Sequence, residues 1–294
     1  LPIYHCDRMT YKHAQVCILT DSTAQFTTSS FPGQELVRII PFHVEFEKNL
    51  YPHGKGLRIE QLPDSARDGR SPVLQPPTTK IFRNSYSTLS KKYHDIITIL
   101  ISSRLSPTYE HARMASAALM TQESHSLIDS QTTGVGLGWL VQAAAEAAHN
   151  GASITSIKRL VHNLTTRVYT IFCIQSLTYI NKAGYLDSAQ ANVGEMLNLI
   201  PLFTIEKGNL NPIQKARNMR HLADLLEEFI SEFGSLKHIA LLKGTLPFEH
   251  ESRLLRERIK NKFPNTYYSE HTLGTPLATL LGPRSLSVIV MEED

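Results

Sequence analysis

The stretch "DIITILISSRLSPTYEHARMASAAL", residues 95–119, decides the fold. Ile96, Ile97, Ile99, Leu100 and Ile101 form a short, β-branched apolar block, the pattern of a strand buried on both faces of a parallel sheet. Hydroxyls follow at once, at Ser102, Ser103, Ser106 and Thr108. Ser106 precedes Pro107; Ser is a good N-cap and Pro fits the first helical position. Thr108, Ala112, Ala115 and Leu119 then recur at helical spacing and are expected to face the sheet. The unit reads as strand, hydroxyl loop, helix. A helix start carries free N–H groups and partial positive charge, so this junction can hold an anion. A Ser that only caps its own helix is the simpler reading, and at this point both stand.

The same rhythm extends to either side. "AQVCILTDS" (14–22) reads as a strand ending in Asp21 and Ser22, and "VRIIPFHVEF" (37–46) as a second, interrupted by Pro41. The Gly-, Pro- and charge-rich segment 51–77 reads as a long surface excursion. Thr78 is expected to cap a helix running to about Lys92. "HSLIDS" (125–130) is another strand ending in Asp and Ser, followed by an Ala-rich helix opened by glycines and stopped by Gly151. Strands alternating with helices predict a parallel α/β domain. Three of its strands end in hydroxyl or acidic loops, which should share the carboxyl edge where open α/β sheets bind ligands.

After about residue 165 the rhythm changes. "RVYTIFCIQS" is strand-like, and "LIPLFTIEKGNLNPI" predicts a hairpin turning at Lys207-Gly208. Asn211-Pro212 is expected to start a long helix with Leu222, Leu225, Leu226, Phe229 and Phe233 on one face. "LKHIALLKG" and "LSVIVME" are further strands. The expectation is an α/β fold class: an N-terminal parallel-sheet α/β domain over 1–165, bearing the ligand loops, and a C-terminal α+β domain over 166–294 that covers the cleft.

Composition narrows the function. Of 294 residues, 41% are apolar and 19% charged, a globular composition with a sizeable core. The net charge of +3 is small and its cations are scattered, so no nucleic-acid stripe is expected. No apolar run approaches a membrane span, and the first fifteen residues lack both an initiator Met and a signal-peptide core. Cys6, Cys17 and Cys173 are unclustered, which predicts a reducing, cytoplasmic setting and no zinc site. There is no G-x-S-x-G elbow, P-loop, H-E-x-x-H or well-placed G-x-G-x-x-G. "GVGLG" (134–138) is better read as close helix packing than as a phosphate loop. Of the 13 His residues, His162 and His221 fall inside expected helices, whereas His271 falls in an expected loop.

Seven segments carry a family resemblance: "ILTDSTAQF" (18–26), "IIPFHVEF" (39–46), "LQPPTTKIF" (74–82), "ISSRLSPTYEHA" (101–112), 128–151, 179–210 and "KARNMRHL" (215–222). In order and spacing the chain resembles the DegV family, fatty-acid-binding proteins of bacteria, some of which are binding subunits of a fatty acid kinase. The resemblance implies a DegV-like two-domain fold with a long-chain fatty acid buried between the domains and no cofactor. Ser106, Thr108 and Tyr109 match the family's Ser-Gly-Thr-Tyr, whose Ser holds the carboxylate; Pro107 stands in place of the Gly. Ser22, on the neighbouring loop, joins them as a candidate ligand residue. The family's Thr-Ser-Gln-Pro-Ser aligns with 73–77, so a carboxylate-binding Thr is here Val73. A His-Thr-Gly-Pro-Gly segment is matched loosely by "HTLGTP" (271–276), leaving His271 or Thr272 at its His. Two arginines face the kinase in the family. Arg217 matches one, and Tyr185 replaces the other, removing a charge from the expected partnership.

The resemblance therefore implies a fatty-acid carrier without chemistry of its own. Two alternatives stay open: a degenerate homologue acting as an interaction or regulatory protein, and an enzyme using the Asp21-Ser22, Asp129-Ser130 and Ser106 loops for hydrolysis or phosphoryl transfer.

Overall fold

The apolar block does become a buried strand through Leu100, the third along a four-stranded parallel sheet, with Ile101 buried just beyond its end. The computed structural model describes residues 14–66, 71–118, 125–196, 200–245 and 249–293; Cys6 and Leu119 lie outside them. The first half runs β1 (Ala14–Asp21), β2 (Val37–Ile40), β3 (His43–Phe46), β4 (Asn49–Pro52), β5 (Val73–Gln75), α1 (Thr79–Leu89), β6 (Tyr93–Leu100), α2 (Thr108–Ala117), β7 (His125–Asp129), α3 (Gly134–His149) and α4 (Ile154–Thr165). Its main sheet has the order β2-β1-β6-β7. The second half runs β8 (Val168–Ile174), α5 (Leu177–Lys182), α6 (Ser188–Met196), β9 (Ile200–Glu206), β10 (Asn209–Ala216), α7 (Met219–Ser231), β11 (Leu236–Lys243), α8 (Glu249–Lys262), β12 (Tyr267–Thr272), α9 (Thr275–Leu281) and β13 (Ser285–Glu292). These strands form a mixed sheet, β10-β9-β8-β13-β11-β12, parallel only between β11 and β12.

Side-chain alternation sets the layers. Cys17 and Leu19 of β1 pack with Phe82 and Tyr86 of α1 and Ala112 and Ala115 of α2. Val16 and Ile18 point the other way, into the core shared with α3 and α4. The second sheet repeats this: Ile171 and Cys173 face α7 and α8, while Phe172 and Ile174 face the central core. Helix α3 lies between the two sheets, against β1 and β6 on one side and β8 and β13 on the other. That placement explains its sequence. A helix enclosed on all sides is apolar all round, and Gly134 through Val141 are all buried. A Cβ on Gly138 would sit 2.0 Å from the Gln25 carbonyl oxygen, and one on Gly136 2.8 Å from Val168. "GVGLG" is thus close helix packing, as its sequence suggests.

Several expectations are corrected. The segment 37–46 is two strands: Pro41 breaks it, β2 joins the parallel sheet, and β3 pairs antiparallel with β4 and β5. The excursion is no surface loop, since Leu57, Ile59, Leu62 and Ala66 are buried and β5 lies inside it. Helix α1 ends at Leu89 rather than Lys92, and Thr78 makes no side-chain cap. Asn211-Pro212 starts no helix. The Lys207-Gly208 turn does form, with both residues in the left-handed region, and β10 continues through Pro212 to Ala216. Because β10 is an edge strand, the missing proline N–H breaks no ladder bond. The helix begins only after Asn218, whose side chain accepts the His221 N–H at 2.9 Å. His271 lies on the edge strand β12, not in a loop.

Candidate functional site

The carboxyl edge of the parallel sheet carries the expected hydroxyls and acids, but most are bound within the protein. Asp21 is fully buried and accepts hydrogen bonds from Ile101 N at 2.7 Å and from Thr23 N and Oγ1 at 2.9 and 2.6 Å. Burial pushes its carboxyl above the usual range, and these donors partly offset that. Ser22 Oγ accepts the Phe42 N–H at 2.8 Å. Ser103 donates through N and Oγ to Asp129 at 3.1 and 2.5 Å, and Ser130 Oγ donates to Thr132 O. Ser102 Oγ donates to the Gly208 carbonyl at 2.8 Å. The tip of the β9–β10 hairpin therefore sits at the sheet edge, in the position that ligands take in open α/β folds.

Beside this filled position lies a chamber of about 220 Å³. The loop before α2 contributes Leu105, Ser106 and Pro107; the small antiparallel sheet and its flanks contribute Phe42, Val73 and Leu74. Helix α5 and the turn after it supply Tyr179, Lys182, Ala183 and Tyr185, and α9 supplies Thr279 and Leu280. The wall is thus drawn from both halves of the chain. Three of its hydroxyls donate inward to the protein: Tyr179 to Pro63 O at 2.6 Å, Tyr185 to Leu105 O, and Thr279 to Thr275 O at 2.9 Å. Burial raises the pKa of both tyrosines, so they stay neutral donors. Ser106 Oγ is 2.7 Å from Thr108 Oγ1, and Lys182 makes no ion pair among the described residues.

The structure brings together only some of the residues singled out by sequence. Ser106 and Val73 line the chamber, Val73 with 42% of its surface exposed. Thr108 lies just behind it, buried and bonded to Ser106. Ser106 is not the N-cap. Pro107 occupies that position, and Ser106 Oγ accepts the Thr108 N–H at a long 3.3 Å. Ser22, His271 and Thr272 do not line the chamber. The His271 Nε2 is buried without a partner, and burial holds its pKa low against the nearby Glu270 charge. The Thr272 carbonyl accepts from Gln25 Nε2 at 2.9 Å, while Gln25 Oε1 accepts from Gly274 N at 3.0 Å. Arg217 is exposed. Tyr185 is turned inward, spanning from the α5–α6 turn to the loop before α2. Phe42, Tyr179, Lys182 and Leu280 were not legible as site residues, because each reads as ordinary core or helix surface until the two halves meet. Among the described residues no acidic, His or Cys cluster could hold a metal ion, and no helix is long and apolar enough to cross a membrane.

Comparison with known proteins gives one consistent answer. A "DegV domain-containing protein" of Deinococcus radiodurans is 26% identical over 278 residues, covering 93% of this chain and 97% of that one. A structure described as fatty acid binding of a DegV family protein from Thermus thermophilus has a TM-score of 0.82 at 21% identity, covering 95% of this chain and all of the other. The Fatty Acid Kinase B3 protein of Streptococcus pneumoniae, solved loaded with linoleic acid, has a TM-score of 0.81 at 16% identity, again over 95% and 100% of the two chains. The family model described as an uncharacterised protein of the DegV family matches residues 15–293, so this chain belongs to the DegV family.

Proposed function

We propose that this protein binds a long-chain fatty acid, its carboxyl end in the chamber between the two halves, and carries it without chemistry of its own. The observation that carries the reading is the polarity of the wall. With the hydroxyls of Tyr179, Tyr185 and Thr279 directed into the protein, Ser106 and Lys182 are the groups left to meet a ligand on an otherwise apolar surface. A hydroxyl and an ammonium suit an ionised carboxylate, which must be partnered once buried. The apolar remainder suits an alkyl chain, each buried methylene contributing about 0.8 kcal/mol. Relatives of the same fold are described as binding fatty acids. The carboxylate would take Ser106 Oγ and Lys182 Nζ, with Val73 supplying packing where a hydroxyl was expected.

The enzymatic alternative gains no support. Asp21, Ser22, Asp129 and Ser130 have their side chains engaged in ties that hold loops, and Ser106 Oγ lies 2.7 Å from Thr108 Oγ1. A fatty acid kinase as partner rests on weaker ground. Arg217 offers an exposed charge, whereas the Tyr185 hydroxyl is committed to Leu105 and has none to offer. Organic extraction of purified protein followed by mass spectrometry tests the main reading. Near-stoichiometric C14–C18 fatty acid is expected. Trace lipid, with no uptake of added acid, would remove it.

A further inference from the structure

The chamber is too small for the ligand proposed. A 150 Å³ cavity accommodates benzene, so by carbon count about 220 Å³ accommodates roughly nine carbons. Further apolar volume lies along the same segment of chain. A second, strongly apolar groove of about 520 Å³ is formed by Leu177 of α5, Leu186 beyond it, Val193 and Gly194 of α6, and Phe203 of β9. Helix α5 and the turn after it contribute to the lining of both spaces. Tyr179, Lys182 and Ala183 face the chamber and Leu177 the groove, while the neighbours Tyr185 and Leu186 line one space each. That turn is tied to the loop before α2 by the Tyr185 hydroxyl, which donates to the Leu105 carbonyl.

Resting on the lipid-binding reading above, we infer that Tyr185 is a chain-length gate. Acids of up to about nine carbons stay in the chamber with the Tyr185–Leu105 bond intact. Longer chains displace the Tyr185 side chain, pass the Tyr185–Leu186 turn and lay their far end against Leu177, Leu186 and Phe203. The groove suits that occupant because it is apolar and shares α5 and the turn after it with the chamber. It also has the capacity: by the same scaling it holds on the order of twenty carbons. Opening costs one hydrogen bond to a neutral carbonyl, a modest barrier. Tyr185 would thereby set how fast long acids enter, and the groove how tightly they stay.

The test compares octanoic and hexadecanoic acid by calorimetric titration and stopped-flow binding on the full chain. Val193→Glu places a charge in the groove at a side chain already 55% exposed, so folding is not at stake. It is expected to weaken hexadecanoic acid at least tenfold with octanoic acid changed less than twofold. Tyr185→Phe keeps the ring and removes the hydroxyl; it is expected to speed hexadecanoic association several-fold without speeding octanoic. Equal effects on both acids, or no effect on hexadecanoic acid in either variant, would overturn the gate. If the unaltered protein binds neither acid, the lipid-binding reading fails, and the gate with it.

Discussion

Replacing Gly138 by Ala tests the close approach on which the layered core depends. Position 138 lies in the buried run of α3, and an added Cβ would stand 2.0 Å from the Gln25 carbonyl oxygen and 2.7 Å from its carbon. Real contacts of this kind stay beyond 3.0 Å, so α3 or the Gln25 loop must retreat by at least 3.0 − 2.0 = 1.0 Å. Gln25 cannot move freely. Its N–H donates to Gly134 O, and its side chain clamps Thr272 and Gly274 at the entry to α9. Helix propensity alone would favour Ala by about 1 kcal/mol. Overpacking costs about 1–3 kcal/mol, and each strained hydrogen bond about 1 kcal/mol. The net expectation is a loss of about 2–4 kcal/mol, a fall in Tm of roughly 3–6 °C. Urea denaturation of the variant beside Gly151→Ala gives the comparison. Gly151 has open space around it and φ +79°, so only the left-handed backbone penalises Ala there, by about 1–2 kcal/mol. A Gly138→Ala protein as stable as the parent, or stabilised by helix propensity, would refute the packing argument.

Three further outcomes are expected. Ser106→Ala should weaken fatty-acid affinity by about 1–3 kcal/mol in calorimetric titration, while costing under about 1 kcal/mol of stability because the bond it accepts from Thr108 N is long. Lys182→Gln should lower the ratio of fatty-acid to fatty-alcohol affinity about tenfold, since only the acid carries the charge that Lys182 would meet; an unchanged ratio would remove Lys182 from the head-group site. Burial, aided by the nearby His271 and Lys237, holds His238 down to about 4 from its ordinary 6.5, so the fold keeps it neutral while the unfolded chain protonates it. Its contribution is unchanged above pH 6.5 and turns destabilising as pH falls from 6.5 towards 4, by up to about 3 kcal/mol, and His238→Gln should flatten that part of the pH–stability curve.

The strands and most helices could be read from the sequence because alternation, β-branched blocks and turn residues are local signals. The α2 junction, the Lys207-Gly208 turn and the glycine packing of α3 are of that kind. The corrections fall where partners distant in sequence decide. Pro212 reads as a helix start until β10 is known to be an edge strand. His271 reads as a loop residue until β11 is seen pairing with it. Leu57, Ile59 and Leu62 sit in a stretch whose Gly, Pro and charge mask three core residues. The site follows the same division. Ser106 was legible from its place after a buried strand, while Lys182 and Phe42 acquire meaning only when α5 and the small sheet close on the same space. Tyr185 was legible as a departure from a family pattern, but its inward bond to Leu105 was not.

The placement of α3 has a consequence for how the chain is made. A ribosome releases β1 through α4 before any strand of the second sheet exists, yet the first two turns of α3, residues 134–141, are apolar on every face. Until β8 and β13 arrive from the last 127 residues, the face of α3 bearing Gly136, which packs against Val168 of β8, stays open to water. Nascent chains with such uncovered surface are prone to associate with one another. The first half should therefore depend on chaperones during synthesis, and truncation before β13 should leave protein that aggregates rather than a small, independent α/β domain.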